Sequence, residues 1–190
     1  SMVSTANARL NLEAEQPTLN FDKTRAAARE AWNKTLNCIS VEGGTEAQRR
    51  VFYTALYHTQ IHPNVLQDVN GEYPRMESDE VMKTTGNRYT VFSLWDTYRT
   101  LNPLFTLVND EMVPDIVNTM ISIYHQNDKL PVWALQSGET NCMPGYSAVP
   151  IIADAYLKGF EGFDAEEAFA AMKATTVYPQ QNAVPYVVER

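Results

Sequence analysis

Ser137-Gly138-Glu139-Thr140-Asn141-Cys142-Met143-Pro144-Gly145-Tyr146-Ser147 sets one carboxylate among hydroxyl, amide and thiol groups in a loop with two glycines and a proline. A carboxylate so placed can bind sugar hydroxyls, coordinate a hard cation, or act as a general acid or base. Trp133, Met143 and Tyr146 supply the apolar walls of a pocket. Glu139 is therefore a candidate binding residue and the one catalytic candidate, against the alternative of a solvated loop glutamate. A second candidate is Trp95-Asp96-Thr97-Tyr98-Arg99, which opens a helix. Asp96 falls in the first turn, where the helix dipole favours a carboxylate, and Arg99 three residues on can pair with it.

Other reactive side chains read more simply. His58 and His62 are four apart, a metal-ligand spacing on a helix, but no glutamate follows His58 and the zinc-protease pattern fails. His58 is expected to pack or hydrogen-bond between helices, and His125 to sit favourably near a helix C-terminus. Asp79 reads as solvated, while Asp68, beside a turn, stays open between pocket and solvent. Cys38 and Cys142 form neither a zinc signature nor a disulfide framework and are read as buried small apolar residues. No phosphate-binding glycine loop, nucleophile elbow or Cys-His pairing occurs, which disfavours nucleotide-dependent and covalent acyl-transfer chemistry.

Bulk composition narrows the classes further. A chain of 190 residues with 44% hydrophobic residues can build one real core. A net charge of -8 offers no basic stripe for nucleic acid or for an anionic membrane surface. No segment has the length and apolarity of a membrane span. Ser1-Met2 reads as an expression scar ahead of an internal start, and no signal peptide is read.

Paired helices must position these residues. The first spans Phe21–Leu36, capped by Asn20, with Ala28, Trp32 and Leu36 on one face. The second follows a capping box at Thr45–Gln48 and carries Val51, Phe52, Ala55 and Leu56 to an end near His62-Pro63. An insert follows, in which Asn70-Gly71 predicts a β-hairpin near residues 65–76. The third helix starts near Ser93 and is interrupted or kinked by Pro103. The fourth covers about 111–126, with Pro114 in its first turn and a wide face including Met112, Ile116, Val117, Met120 and Tyr124. The fifth spans about 147–159, ending at Gly159, and the sixth about 164–175, opening on the capping-box-like Asp164–Glu167. The tail from 178 to 190 holds two prolines and no period. Helix pairs with long interhelical loops and no short repeat favour an α/α toroid over a solenoid.

Four segments in order then carry a resemblance. They are Phe52-Tyr53-Thr54-Ala55-Leu56-Tyr57-His58-Thr59, Ser93-Leu94-Trp95-Asp96-Thr97-Tyr98-Arg99 with Pro103-Leu104, Gly138-Glu139-Thr140-Asn141-Cys142-Met143 with Gly145-Tyr146, and Ile152-Ala153-Asp154-Ala155-Tyr156-Leu157-Lys158-Gly159. Together they resemble family-92 glycoside hydrolases, bacterial exo-acting α-mannosidases often described as α-1,2-mannosidases. The resemblance covers about 21–175. It implies an all-α fold forming the first half of an (α/α)6 toroid, with residues 1–19 a connecting segment and 20–190 the partial catalytic domain. The family's N-terminal β-sandwich and second half-toroid lie outside this stretch.

The resemblance implies calcium-dependent, inverting hydrolysis of terminal α-linked mannose on glycans. Inversion needs two carboxyls roughly 6.5–9.5 Å apart, and the family's acid and base lie in later motifs that this chain lacks. The chain alone is therefore expected to be inactive, with its metal ligands unassigned and no calcium bound by it alone. Trp95, Asp96, Arg99 and Glu139 are expected to line the mannose pocket. Many members carry His where this chain has Ser147, so local recognition differs. The parent is expected in the periplasm, at the cell surface or secreted. Half a toroid leaves an apolar seam, and self-association through it is expected. The competing reading is a non-catalytic helical-repeat binding or scaffold module.

Overall fold

Apolar residues at helical spacing build the core around one helix. The computed structural model describes residues 1–177; the tail read at 178–190 lies outside them. The helices are α1 (Thr5–Glu15), α2 (Phe21–Leu36), α3 (Glu46–Thr59), α4 (Leu94–Thr97), α5 (Leu101–Val108), α6 (Val113–Asn127), α7 (Ala148–Leu157) and α8 (Ala165–Val177). About 53% of the described chain is helical. On α6, Ile116, Val117, Met120, Ile121 and Ile123 are all buried. They meet Phe105 of α5, Ile151 and Ile152 of α7, and Ala168 and Ala171 of α8. Burying one such aliphatic side chain stabilises by about 1.5–3 kcal/mol, so this four-helix cluster is the stable platform. The small alanines on α8 let it lie close to α6.

Local signals set the helix ends. Asn20 caps α2 by accepting from Lys23 N at 3.0 Å, and Thr45 with Gln48 closes a reciprocal capping box on α3. Pro114 occupies the start of α6, and Gly159 at φ 79° follows α7. The third helix is interrupted as expected, but the break falls between α4 and α5, ahead of Pro103, which sits in the first turn of α5. A first-turn N–H has no intrahelical partner, so the proline opens α5 instead of kinking it. Helix α1 has no apolar stripe to announce it. Its single buried residue is Asn7, whose Nδ2 donates to Asp68 Oδ2 at 2.9 Å and Glu72 Oε2 at 2.8 Å. Asn11 adds a 2.6 Å bond to Asp68 Oδ1.

The insert forms short antiparallel ladders. Strand β1 (Asn64–Val65) pairs with β4 (Tyr89–Thr90), and β2 (Glu72–Pro74) pairs with β3 (Val81–Lys83). The hairpin expected near 65–76 is thus corrected in register. The turn itself forms, with Gly71 N donating to Asp68 O at 2.8 Å and Gly71 at φ 82°. Its flanks bond once more across the turn, Asp68 N to Glu72 O at 2.8 Å, and then diverge to other partners, Leu66 N bonding Arg88 O at 2.7 Å and β2 pairing with β3. A Cβ on Gly71 would stand 2.5 Å from Thr84 O, so close packing against β3's end demands glycine here.

Helices α2 and α3 pair with each other and leave much of their apolar surface open. No residue of α2 is buried, and Phe21 and Val51 are 79% and 70% exposed. Trp32 and Tyr57 meet across the pair in a tilted contact, with ring centroids 4.6 Å apart. Both cysteines correct the expectation of burial: Cys38 and Cys142 are exposed, each in a loop outside the helical core.

Candidate functional site

The Glu139 loop is a folded-back hairpin. Strand β5 (Ala134–Leu135) pairs with β6 (Gly138–Glu139). The Glu139 carboxylate turns inward and accepts three backbone N–H groups: Val132 at 2.9 Å, Trp133 at 2.9 Å and Asn141 at 2.8 Å. Both oxygens are used. Hydrogen bonds to an ionised acceptor are stronger than neutral ones, so this side chain clamps the loop. Two groups distant in sequence brace the clamp. Glu77 Oε1 accepts the Glu139 N–H at 2.6 Å, and Glu77 N donates to Ser137 O at 2.7 Å. Lys129, 8% exposed, bonds Asn141 Oδ1 through Nζ. Burial pushes the Lys129 ammonium below its ordinary 10.5, and the nearby carboxylates of Glu139 and Glu77 pull it back upward.

Asp96 sits differently. It is exposed on the short α4, and its Oδ2 accepts from Ser93 Oγ. No ion pair joins it to Arg99 among the described residues; the Arg99 guanidinium instead lies 5.0 Å from the Tyr98 ring centroid. Trp95 is 43% exposed, with its ring centroid 6.3 Å from Tyr98. Trp95, Asp96 and Arg99 thus all remain open to solvent, with polar or π surface available to a ligand.

Trp133 connects the two regions. Its N–H is held by Glu139, and its side chain lines a cavity of about 300 Å³ with His58, His62, Phe92, Ser93 and Thr97. Phe92 N donates to Ala134 O at 3.0 Å, tying β5 to the approach of α4. Val91, immediately before, has φ 63°, a region that β-branched residues occupy only under strain. The structure therefore brings the Glu139 loop and the Ser93–Thr97 turn to one rim. It does not bring the Glu139 carboxylate out to that rim.

His58 and His62 share the Trp133 cavity, while His125, Asp79 and Asp68 lie outside its lining. His58 is exposed beside Tyr57, at 5.7 Å between centroids, and is not sandwiched between helices; it lies at the open α3 end. His62 Nδ1 faces Asn64 Oδ1 at 3.0 Å. His125, in the last turn of α6, meets Glu167 of α8 at 2.6 Å. Asp79 is exposed, as a solvated carboxylate is. Asp68 is 5% exposed and structural: burial alone would raise its pKa, but hydrogen bonds from Ser1, Asn11 and Asn7 outweigh that and hold it below 3.8. The bracing roles of Glu77 and Lys129 escaped sequence reasoning. Neither lies in a motif, and the Glu77–Glu139 contact spans 62 positions.

The family model for the glycosyl hydrolase family 92 catalytic domain matches residues 7–190. A family GH92 alpha-mannosidase from Bacteroides thetaiotaomicron, also solved in complex with mannoimidazole, is 38% identical with a TM-score of 0.90 over 97% of this chain. A family GH92 inverting mannosidase from the same organism is 32% identical with a TM-score of 0.88 over 95% of the chain. An uncharacterized secreted glycosidase of the fungus Arthroderma benhamiae is 27% identical over 177 residues, 90% of this chain. The chain spans only 25% of each of these two solved structures and 19% of the fungal relative. The chain belongs to glycosyl hydrolase family 92, and it forms part of that family's catalytic domain.

Proposed function

We propose that this chain is the first half of the (α/α)6 toroid of a calcium-dependent, inverting exo-α-mannosidase that removes terminal α-linked mannose from glycans. Residues 1–19 connect it to a preceding β-sandwich, and 20–190 form the partial catalytic domain. Its share of the work is to hold the sugar. The observation that carries this reading is the exposed Trp95–Asp96–Arg99 group, on a turn that shares a cavity with Trp133 and follows Phe92, which is tied to β5 through Ala134 O. An exposed carboxylate with a hydroxyl neighbour can accept two sugar hydroxyl protons, and an indole face can pack on the sugar's C–H surface. The solved relative with bound mannoimidazole supports mannose as the ligand class.

Bond cleavage falls to carboxyls outside this chain. Glu139 could act as an acid or base only by releasing three backbone N–H groups. The calcium expectation fits the described residues poorly. Among them no three His, Cys, Asp or Glu side chains converge, and the oxygens of Asp68 and Glu139 already accept protein donors. The calcium ligands come from the rest of the parent. The parent acts outside the cytoplasm, as the secreted fungal relative suggests. The exposed Leu107, Leu157, Phe21 and Val51 belong to the seam that the second half-toroid covers, and the isolated chain self-associates through it.

The test is mannose release from an α-mannoside by the full-length parent and by the 190-residue chain. The parent should release mannose with inverted anomeric configuration, and the chain none. Turnover by the chain alone, or retention by the parent, contradicts the proposal.

A further inference from the structure

Arg88 is the most deeply buried cation among the described residues and lies away from the Asp96 rim. It is 3% exposed, in the strand-to-helix packing between the insert and α6. Its Nη1 donates to Thr119 O at 2.9 Å, and the guanidinium lies 5.0 Å from the Tyr73 ring centroid. Its Nε is buried with no hydrogen-bond partner. Among the described residues no carboxylate forms an ion pair with it. Burial lowers its pKa to about 10, so it stays charged at neutral pH. A buried charge without a counter-charge is costly, and buried cations are ordinarily paired.

A cavity of about 250 Å³ adjoins this guanidinium, walled also by Tyr73, Thr84, Asn118, Thr119 and Ser122. We propose that it is a carboxylate-binding site in which Arg88 supplies the charge. Nη1 is spent on Thr119 and Nε is enclosed by protein, so Nη2 is the N–H group left to donate to a carboxylate oxygen in the cavity. Hydroxyl and amide side chains on the walls add neutral donors. A dianion fits less well. Asp115 also lines the cavity, its Oδ2 held by Asn87 N at 3.1 Å and Asn87 Nδ2 at 2.9 Å, and one guanidinium cannot balance two added negative charges beside it. The carboxylate comes either from a small organic acid or from an Asp or Glu elsewhere in the parent polypeptide, of which this chain spans 25% in the solved relatives.

The experiment follows the arginine Nε–Hε resonances of the ¹⁵N-labelled 190-residue chain by NMR. The Arg88 signal is assigned by its loss in Arg88→Lys. Should that variant not fold, it is assigned by its contact with the Tyr73 ring protons. Acetate should shift this one resonance saturably, while chloride at matched ionic strength leaves it in place. Ser122→Leu, which narrows the cavity and gives up the bond from Gln126 Nε2, should abolish the acetate shift in a chain that still folds. No acetate shift, an equal shift with chloride, or tighter saturation by inorganic phosphate overturns the proposal. In the full-length parent, a signal already at the acetate-saturated position identifies an intrachain carboxylate. A signal at the free position that titrates with acetate identifies a small acid.

Discussion

Glu139 holds the backbone N–H of Trp133 at 2.9 Å, and Trp133 shares a cavity wall with Ser93 and Thr97 beside Asp96. The loop acid therefore acts on the proposed sugar rim through the backbone it organises. Its charge is consumed within the loop, and the residue it positions faces the rim.

This relationship predicts a stability effect at Glu139. Glu139→Ala strands three backbone N–H groups, two of them in a well-packed part of the loop. The loss should be about 2 kcal/mol, within the range for hydrogen bonds to charged groups. Denaturant unfolding of the chain measures it. Glu139→Gln should recover part of the loss, because one amide oxygen still accepts. An unchanged unfolding midpoint in Glu139→Ala would show that the clamp contributes nothing.

Asp68 predicts a pH dependence. Its folded pKa lies below the unfolded 3.8, so its contribution is fully present above 3.8 and is lost as pH falls through the lower folded value. Unfolding free energy should therefore drop on acidification below about 4, and Asp68→Asn should flatten that drop while lowering stability at neutral pH. Melting curves across that range check the sign; a variant curve parallel to the wild type removes Asp68 from the account.

Metal removal separates the chain from its parent. Since the described residues gather no three metal ligands, chelator and added calcium should both leave the melting temperature of the 190-residue chain unchanged. Chelator should abolish mannose release by the parent. A calcium-induced rise in the chain's melting temperature would place ligands within it.

Much of the helical frame was legible in the sequence because caps and stripes are local. Asn20, Thr45 with Gln48, Pro114 and Gly159 each mark an end that the structure keeps. Helix α1 was not legible, because a buried Asn7 bonded to Asp68 and Glu72 leaves no apolar period to read. The hairpin register failed for a related reason. Asn70-Gly71 signals a turn correctly, but which strands its flanks join is decided by Arg88, Tyr89 and the residues beyond Ser78. At the site, residue types around Glu139 and Asp96 announced polar loops. They could not announce that one carboxylate folds back on three N–H groups while the other stays in solvent, since that difference depends on Glu77 and Lys129.

A mannose-binding role for the Asp96 rim has a direct kinetic readout in the full-length parent. Asp96→Asn in the full-length parent should lower kcat/KM for an α-mannoside at least tenfold, about 1.4 kcal/mol of transition-state stabilisation, with an unchanged melting temperature. Asp96 is exposed and bonded only to Ser93 Oγ, so the fold does not depend on its charge. An unaltered kcat/KM in a folded Asp96→Asn enzyme would exclude Asp96 from holding the sugar.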